Sequence, residues 1–159
     1  MKKIFLLLML VLVFPLAACQ KKEETDMGKV ANDGKLHYQN KDLGFSVDFP
    51  AVFEYYQVQR VSTDEYIESQ FFVPTADVNY PQQIKGYGRY LVVRTYEKNF
   101  WENSKTKQYE EDVFKNLGEH GGYYYLVSFW KMEPNDWNGK WNMDVEREIE
   151  GSFRFGLKE

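Results

Sequence analysis

Two histidines are the residues of this chain best suited to proton transfer or to binding a transition metal. His37 and His120 lie 83 positions apart, and neither has a second histidine or a cysteine at the spacing of metal ligands. Because a zinc site takes three or four protein ligands, the sequence predicts no metal site. We expect both histidines to be ordinary residues, one at a strand start and one in a turn.

Carboxylates, hydroxyls and glycines likewise form no catalytic pattern. The acidic cluster at 110–112 lacks the alternating spacing and the glycine of a calcium loop, so we predict a solvated helix face. Asp42, Asp48 and Glu54 are candidates for acid–base work, although nothing in the sequence pairs them. The serines lack a GxSxG context, and residues 86–88 are too short for a phosphate loop. The sequence therefore predicts a non-catalytic protein with no catalytic residues and no cofactor.

One cysteine, Cys19, ends the stretch LAAC at residues 16–19. Two lysines precede a run of 13 apolar residues, 4–16, which suits a secretory signal. The run is shorter than the roughly 20 residues that cross a membrane. Leu16, Ala17, Ala18 and Cys19 resemble the lipobox of bacterial lipoproteins. The resemblance implies a signal peptide over 1–18, cleavage before Cys19 and attachment of diacylglycerol to its sulfur.

Such a modification would attach the chain to a membrane without spanning it. Two acyl chains hold a protein stably where one holds it only marginally, and the sequence contains no second long apolar run. The alternative is a plain secretory signal in which Cys19 has no such role. A disulfide within the chain is excluded because there is no second cysteine. We expect a lipid-anchored protein on the extracytoplasmic face of a bacterial membrane.

Composition narrows the choice of partner. Without residues 1–18 the chain carries 18 basic and 24 acidic residues, a net charge of −6. This charge argues against nucleic acid and anionic lipid headgroups as partners. The polar, mixed-charge stretch at 19–35 is predicted to be a flexible tether, because it has little apolar surface to bury. Residues 36–159 are then long enough for one domain.

Alternating apolar residues predict strands along most of this domain. Phe45, Val47 and Phe49 form one face of a half-buried strand that ends at Pro50. Further strands are predicted at 37–40, 52–61, 65–74 and 88–96. The segment 123–132 is apolar on both faces, so we expect a central strand covered on both sides.

Helices are predicted in the second half of the domain. One is expected over 100–107, with a second extending to Phe114. Trp141, Val145 and Ile149 have the spacing of one helical stripe, and Gly151 is a suitable stop. The residues 152–155 suit a closing strand. The pattern predicts an α+β domain with a mainly antiparallel sheet.

The stretch YQNKDLGFSVDFP, residues 38–50, resembles the opening of domains of the PsbP/Mog1-like type. The matching positions are Tyr38, Asn40, Gly44, Phe45, Ser46, Phe49, Pro50 and Phe53. Residues 116–129 and the closing GSFRF are also similar to that group. Phe53 replaces the usual tryptophan after the proline. The resemblance implies a central antiparallel sheet flanked by helices, and non-catalytic roles.

Aromatic residues outside the predicted strands are candidate contacts. Trp137 lies in the polar loop PNDWNG, and Phe100 and Trp101 follow a strand end. Exposed aromatic rings are frequent contacts for a protein, a sugar or peptidoglycan. The sequence thus favours a lipid-anchored binding or accessory domain whose partner is an envelope protein or a small ligand. A small-molecule or metal carrier and a cell-envelope hydrolase are the alternatives.

Overall fold

Between Val30 and Gly156, the range that this computed structural model describes, the chain forms eight β-strands and three α-helices. The predicted signal peptide, the lipobox and residues 19–29 of the predicted tether lie outside the described residues. The elements are β1 (Lys35–Asn40), β2 (Phe45–Pro50), β3 (Gln57–Ser62), β4 (Tyr66–Pro74), β5 (Tyr87–Glu97), α1 (Lys98–Asn103), α2 (Lys107–Val113), β6 (Lys115–His120), β7 (Tyr123–Phe129), α3 (Met143–Gly151) and β8 (Arg154–Phe155).

The strands form two antiparallel sheets. The order is β3-β4-β5-β7-β6 in the larger sheet and β1-β2-β8 in the smaller one. The α+β class is therefore as predicted, but the single central sheet is not what the chain forms. The first hairpin does not join the larger sheet. It pairs instead with the last strand, through Phe45 with Phe155 and Ser46 with Arg154.

The main core lies between the two sheets. Strand β2 contributes Phe45, Val47 and Phe49, all fully buried, while Ser46 and Asp48 are partly exposed, as the alternation predicts. The five-stranded sheet contributes large side chains, and α3 adds Ile149. Burial of these apolar faces is the main stabilising contribution, because it removes both sheets' inner surfaces from water. The sheet's members of this core are Phe71, Val73, Tyr90, Leu91, Val93, Tyr125 and Val127.

A second, smaller core lies on the opposite face of the five-stranded sheet. Helices α1 and α2 cover this face, where Trp101 of α1 packs against the ring of Tyr96 with 4.9 Å between centroids. The sheet adds Val92 and Leu126, and Phe114 follows α2. Strand β7 thus lies inside the sheet with both faces covered, as its sequence predicts.

Helix α3 begins at a side-chain cap. The Asn142 amide oxygen accepts hydrogen bonds from the backbone N–H groups of Asp144 (2.9 Å) and Val145 (3.0 Å). This satisfies two of the donors that a helix start leaves free. Val145 and Ile149 face the main core as predicted, whereas Trp141 precedes the helix. The cap therefore sets where the helix starts against the small sheet.

Candidate binding site

Trp137 is not an exposed loop residue, and that expectation is wrong. Its side chain is 3% exposed, and its indole N–H donates to the carbonyl oxygen of Pro74 at 2.9 Å. The ring packs against Phe53 and Trp130, with centroids 5.1 and 5.6 Å away. A short 3-10 turn at Asn135–Trp137 folds the loop back over the end of the sheet. Trp137 therefore belongs to the main core and is not available as a contact.

Trp101 is also buried, at 0% exposed, between Tyr96 and Tyr124. Its neighbour Phe100 is different, because successive helix residues point about 100° apart. Phe100 is 36% exposed and lies nearly parallel to Tyr96, with 6.2 Å between centroids. Of the three aromatic candidates, Phe100 is the one that reaches solvent.

Phe100 lines a shallow open cleft, which we call the α1 cleft. It has a volume of about 570 Å³ and lies beside α1, the loop that follows it, and the adjoining ends of β4 and β5. Phe100 supplies its aromatic ring, while amides, hydroxyls, two carboxylates and one ammonium supply the polar groups. The complete lining is Glu65, Glu97, Asn99, Phe100, Asn103, Ser104, Lys105 and Thr106.

Local hydrogen bonds hold this polar lining in place. The Asn103 amide donates to the carbonyl oxygen of Asn99 at 2.7 Å. The hydroxyls of Ser104 and Thr106 bond each other at 2.9 Å, and the Ser104 hydroxyl also accepts from the Thr106 N–H. Amide and hydroxyl groups can donate and accept at once. An aromatic ring among such groups suits a ligand that has an apolar face edged by hydroxyls.

A buried ion network lies between α2 and the five-stranded sheet. The Arg94 guanidinium on β5 bonds Glu68 on β4 and Glu110 on α2, and all three side chains are at most 14% exposed. The Gln70 amide donates to the second oxygen of Glu68 at 2.5 Å. The network therefore joins α2 to the sheet. The prediction of a solvated helix face is wrong for Glu110, which turns inward to meet Arg94.

The network and its surroundings shift two pKa values. Burial by itself would lower the pKa of Arg94, but the bond to Glu68 and the charges of Glu68 and Glu110 raise it. Arg94 thus stays charged between the rings of Tyr66 and Phe114, at 4.1 and 4.3 Å from their centroids. Burial raises the pKa of the neighbouring Tyr96 to about 12, so its hydroxyl is neutral.

Neither histidine lies in the α1 cleft. His37 bonds Asp48 through Nδ1 at 2.7 Å and lies 3.2 Å from Asp33 through Nε2, on the small sheet. His120 stacks on Phe155, with 4.1 Å between centroids. Asp42 pairs with Arg60 and Asp48 with His37, so these two of the three candidate carboxylates have different partners. Within residues 30–156 no cluster of His, Cys, Asp or Glu is arranged to hold a metal ion.

A second cleft, of about 300 Å³, lies between β7 and α3. We call it the α3 cleft. Phe129 and Trp130 supply aromatic surface, and Lys115 forms an ion pair with Glu150 across it. Burial and the charge of Glu150 raise the pKa of the carboxyl of Glu146. The lining consists of Val113, Lys115, Val127, Ser128, Phe129, Trp130, Lys131, Glu146 and Glu150.

Most residues of the α1 cleft were not found from the sequence. Phe100 was a candidate, and Asn103 follows it by three positions, a spacing that puts both on one side of a helix. Glu65 comes from a turn 35 positions earlier, and no local pattern connects it to α1. The signal for the cleft was thus limited to its aromatic residue and the polar run around it.

Comparisons with known proteins give no relative from which a role can be transferred. No family model matches the chain, and no curated protein or solved structure shows a significant similarity to it. Among residues 30–156, no helix has both the length and the apolar character needed to cross a membrane.

Proposed function

We propose that this protein is a lipid-anchored, non-catalytic binding or accessory domain on the extracytoplasmic face of a bacterial membrane. The attachment is supported by the positive start, the short apolar run and the LAAC stretch that ends in Cys19. Two acyl chains on Cys19 supply stable membrane attachment. The folded domain then serves as the part that meets a partner.

The observation that carries the binding role is the exposed ring of Phe100 in the α1 cleft. Tyr96 supports one side of this ring, and amides and hydroxyls surround it. A sugar ring has the matching chemistry, because its C–H faces pack on aromatic rings and its hydroxyls pair with amides and carboxylates. We therefore take an envelope saccharide as the ligand class that the cleft suits best.

We also propose kinship with the PsbP/Mog1-like domains. Support comes from how the residues behind that resemblance are used in this chain. Asn40 is buried, and its side-chain oxygen accepts a hydrogen bond from the Leu43 N–H at 3.0 Å, which closes the turn before β2. Gly44 has a φ of 72° in this turn, a conformation that favours glycine. The motif thus has a structural purpose, the first hairpin, and carries no partner with it.

A fractionation experiment tests the anchor. We expect the full-length protein to sediment with membranes and to show the mass of a diacylglyceryl modification on Cys19. A Cys19→Ser variant should move to the soluble fraction because it lacks the acceptor sulfur. A wild-type chain that lacks the lipid and stays soluble contradicts the anchor.

A co-sedimentation assay with purified peptidoglycan tests the ligand class. Phe100→Ala should reduce binding of the full-length protein by tenfold or so, since losing about 1.4 kcal/mol of contact has that effect. Tyr109→Ala is the matched control, because Tyr109 is a 69% exposed aromatic on the neighbouring helix and does not line the cleft. Equal binding by all three proteins contradicts the saccharide proposal.

The α3 cleft favours a second candidate, a small-molecule carrier. Its paired charges and aromatic surface suit a small zwitterion, and its volume of about 300 Å³ is at the lower end for ligand sites. A thermal-shift screen of the full-length protein with amino acids and short peptides tests this role. A rise in melting temperature that Lys115→Met abolishes supports the carrier, and no rise across the screen argues against it.

A further inference from the structure

The loops at one end of the five-stranded sheet gather into a single surface, which we call the loop end. Strand β4 ends at Pro74, which pairs with Tyr87 at the start of β5, and β7 also ends there, where Phe129 pairs with Leu91. The segment after β2 joins them, because Phe53 packs on Tyr90 with 4.7 Å between ring centroids. The loop end thus comprises residues 51–56, 75–86 and 130–143.

Carboxylates fasten the two longer loops to each other. One oxygen of Asp77 accepts hydrogen bonds from the backbone N–H of Asn135 (3.0 Å) and from its side-chain amide (2.8 Å). Asp136 in return accepts from the hydroxyl of Thr75 (2.6 Å) and the N–H of Ala76 (2.9 Å). These bonds fix the two longer loops of the loop end relative to each other.

Several side chains of the loop end are apolar and face solvent. Their exposed fractions range from 42% for Val52 to 87% for Val78. Five of the nine large apolar side chains that are exposed among residues 30–156 lie on this one end, which favours contact with a partner or a membrane. The group consists of Val52, Tyr55, Val78, Met132 and Met143.

Tyr55, on this surface, has an energetically unfavourable backbone conformation. Its φ is 65°, in the left-handed region that bulky residues avoid, and its ring is 60% exposed. Its neighbours Phe53 and Tyr56 are buried, so the chain on both sides of Tyr55 is anchored in the core. Strain of this kind collects at functional positions, and tyrosine favours the interface between lipid and water.

The chain enters the domain at the same end. Lys35, the first residue of β1, pairs with Pro50, the last residue of β2, so Val30 to Gly34 lie beside the loop end. Cys19 precedes Val30 by 11 positions, a span of at most about 40 Å when fully extended. A lipid on Cys19 would thus keep the loop end within reach of the bilayer, and the exposed apolar groups would select the orientation.

We propose that the loop end rests on the lipid bilayer, through Val52, Tyr55, Val78, Met132 and Met143. This inference depends on the proposed lipid anchor at Cys19 for its orientation. It directs the opposite end of the sheet, where β4 begins and β5 ends at the α1 cleft, away from the membrane. The domain thereby presents the α1 cleft to ligands on the side that faces away from the membrane.

Single reporter cysteines test the orientation. Lipidation blocks the native thiol of Cys19, so an introduced cysteine is the one that a thiol-reactive fluorophore labels. We place it at Val78, Met132 or the exposed Asp64, which lies in the turn before β4 at the opposite end. Full-length protein in phosphatidylcholine vesicles should show strong quenching by nitroxide lipids at 78 and 132, and little at 64. Equal quenching at all three positions, or stronger quenching at 64, overturns the proposal.

Two further variants separate the possible failures. Labelling of the wild-type protein at Cys19 means that the anchor has failed. In that case the reporter proteins are made with Cys19→Ser, so that the introduced cysteine is again the one thiol, and are mixed with the same vesicles. They still show whether the loop end binds lipid, and absence of quenching at 78 and 132 overturns the proposal. Tyr55→Asn should weaken the quenching at 78 without lowering the melting temperature, since asparagine tolerates a positive φ. Unchanged quenching in that variant contradicts the proposal, because Tyr55 is one of the side chains that it places in contact with lipid.

Discussion

Arg94 is the residue on which the attachment of α2 to the sheet depends. Its guanidinium is 14% exposed and neutralises one of two carboxylates that are each 9% exposed. A buried ion pair adds little stability compared with apolar packing, but breaking one leaves a charge without its partner in a poorly solvated place. The ion network therefore adds little to the free energy of unfolding, but removing one of its charged partners lowers that free energy substantially.

Replacing Arg94 by methionine should lower the free energy of unfolding by about 3 kcal/mol or more, because Glu68 and Glu110 stay buried without a cation. Arg147→Met is the matched control. Arg147 pairs with Asp144 at 3.3 Å, but both side chains are well exposed, so the loss should stay below about 1 kcal/mol. Urea denaturation of both variants measures the difference, and similar losses would contradict the argument.

His37 gives the small sheet a dependence on pH. The hydrogen bond to Asp48 raises the pKa of His37 above its usual 6.5, against a smaller lowering by burial, and the charge of Asp33 adds to the rise. A raised folded-state pKa means that the folded form binds the proton more tightly than the unfolded form. The stabilisation is then complete below pH 6.5 and is lost as the pH rises through the folded-state pKa.

Thermal denaturation across this pH range checks the prediction. The wild-type melting temperature should fall between mildly acidic and mildly alkaline pH by more than that of Asp48→Asn. The asparagine keeps the shape of Asp48 but removes the charge that holds the proton on His37. Parallel pH profiles for the two proteins would show that His37 does not contribute.

At the scale of elements, the sequence predicted the strands whose two faces differ clearly in polarity and the strand whose two faces are both apolar. Strand β2 alternates as expected, and β7 is apolar on both sides because cores lie on both sides of it. Strand β6 was missed, since KNLGEH has no apolar alternation. It is an edge strand with a register shift between Asn116 and Gly118, and Gly118 has a φ of 95°. Edge position and irregular pairing remove the pattern on which such predictions depend.

Of the residues that line the α1 cleft, the sequence pointed to one, Phe100. Phe100 and Trp101 are adjacent in sequence, and only the docking of α1 decides which of them faces the sheet. Trp137 lies in a polar loop, yet its ring is covered because Pro74 offers an acceptor for its N–H. The composition of a loop does not show whether its side chains are exposed, because the loop can fold back on the core.

The cap of α3 leads to a prediction for one element. Asn142→Ala should lower the free energy of unfolding by about 1 kcal/mol, because the N–H groups of Asp144 and Val145 lose their acceptor. Asn142→Asp keeps an acceptor oxygen and should lose little. Urea denaturation measures both variants, and a loss in the aspartate variant as large as in the alanine variant would contradict the capping role.

At the scale of the whole molecule, the five-stranded sheet is a middle layer. The smaller sheet and α3 cover one face, and α1 and α2 cover the other. The sequence indicates that β7 needs two covers but not that the first hairpin supplies one of them. That assignment depends on β8, a two-residue strand that joins β2 from more than 100 positions away. Long-range pairings of this kind leave no local trace.

Hydrogen exchange should reflect this layering. The backbone amides of β5 and β7 lie between paired strands and beneath both covers, so they should exchange last. Amides of β3 and β6, at the two edges of the sheet, should exchange earlier. Mass spectrometry of the full-length protein measures the order, and equal protection across the five strands would contradict the layered description.

The four tryptophans divide unequally between the two covers. In the main core Trp130 contacts both Trp137 and Trp141, with centroids 5.6 and 5.3 Å away, whereas Trp101 lies apart from them beneath α1. Far-ultraviolet circular dichroism of the protein should therefore carry an exciton signal from the indoles coupled through Trp130, and a Trp101→Phe variant should leave that signal intact. Subtracting the fluorescence of the Trp101→Phe variant from that of the wild type gives the intrinsic emission of Trp101. This emission reports on the packing of α1 alone, so unfolding on the two faces of the sheet can be followed separately without adding a dye.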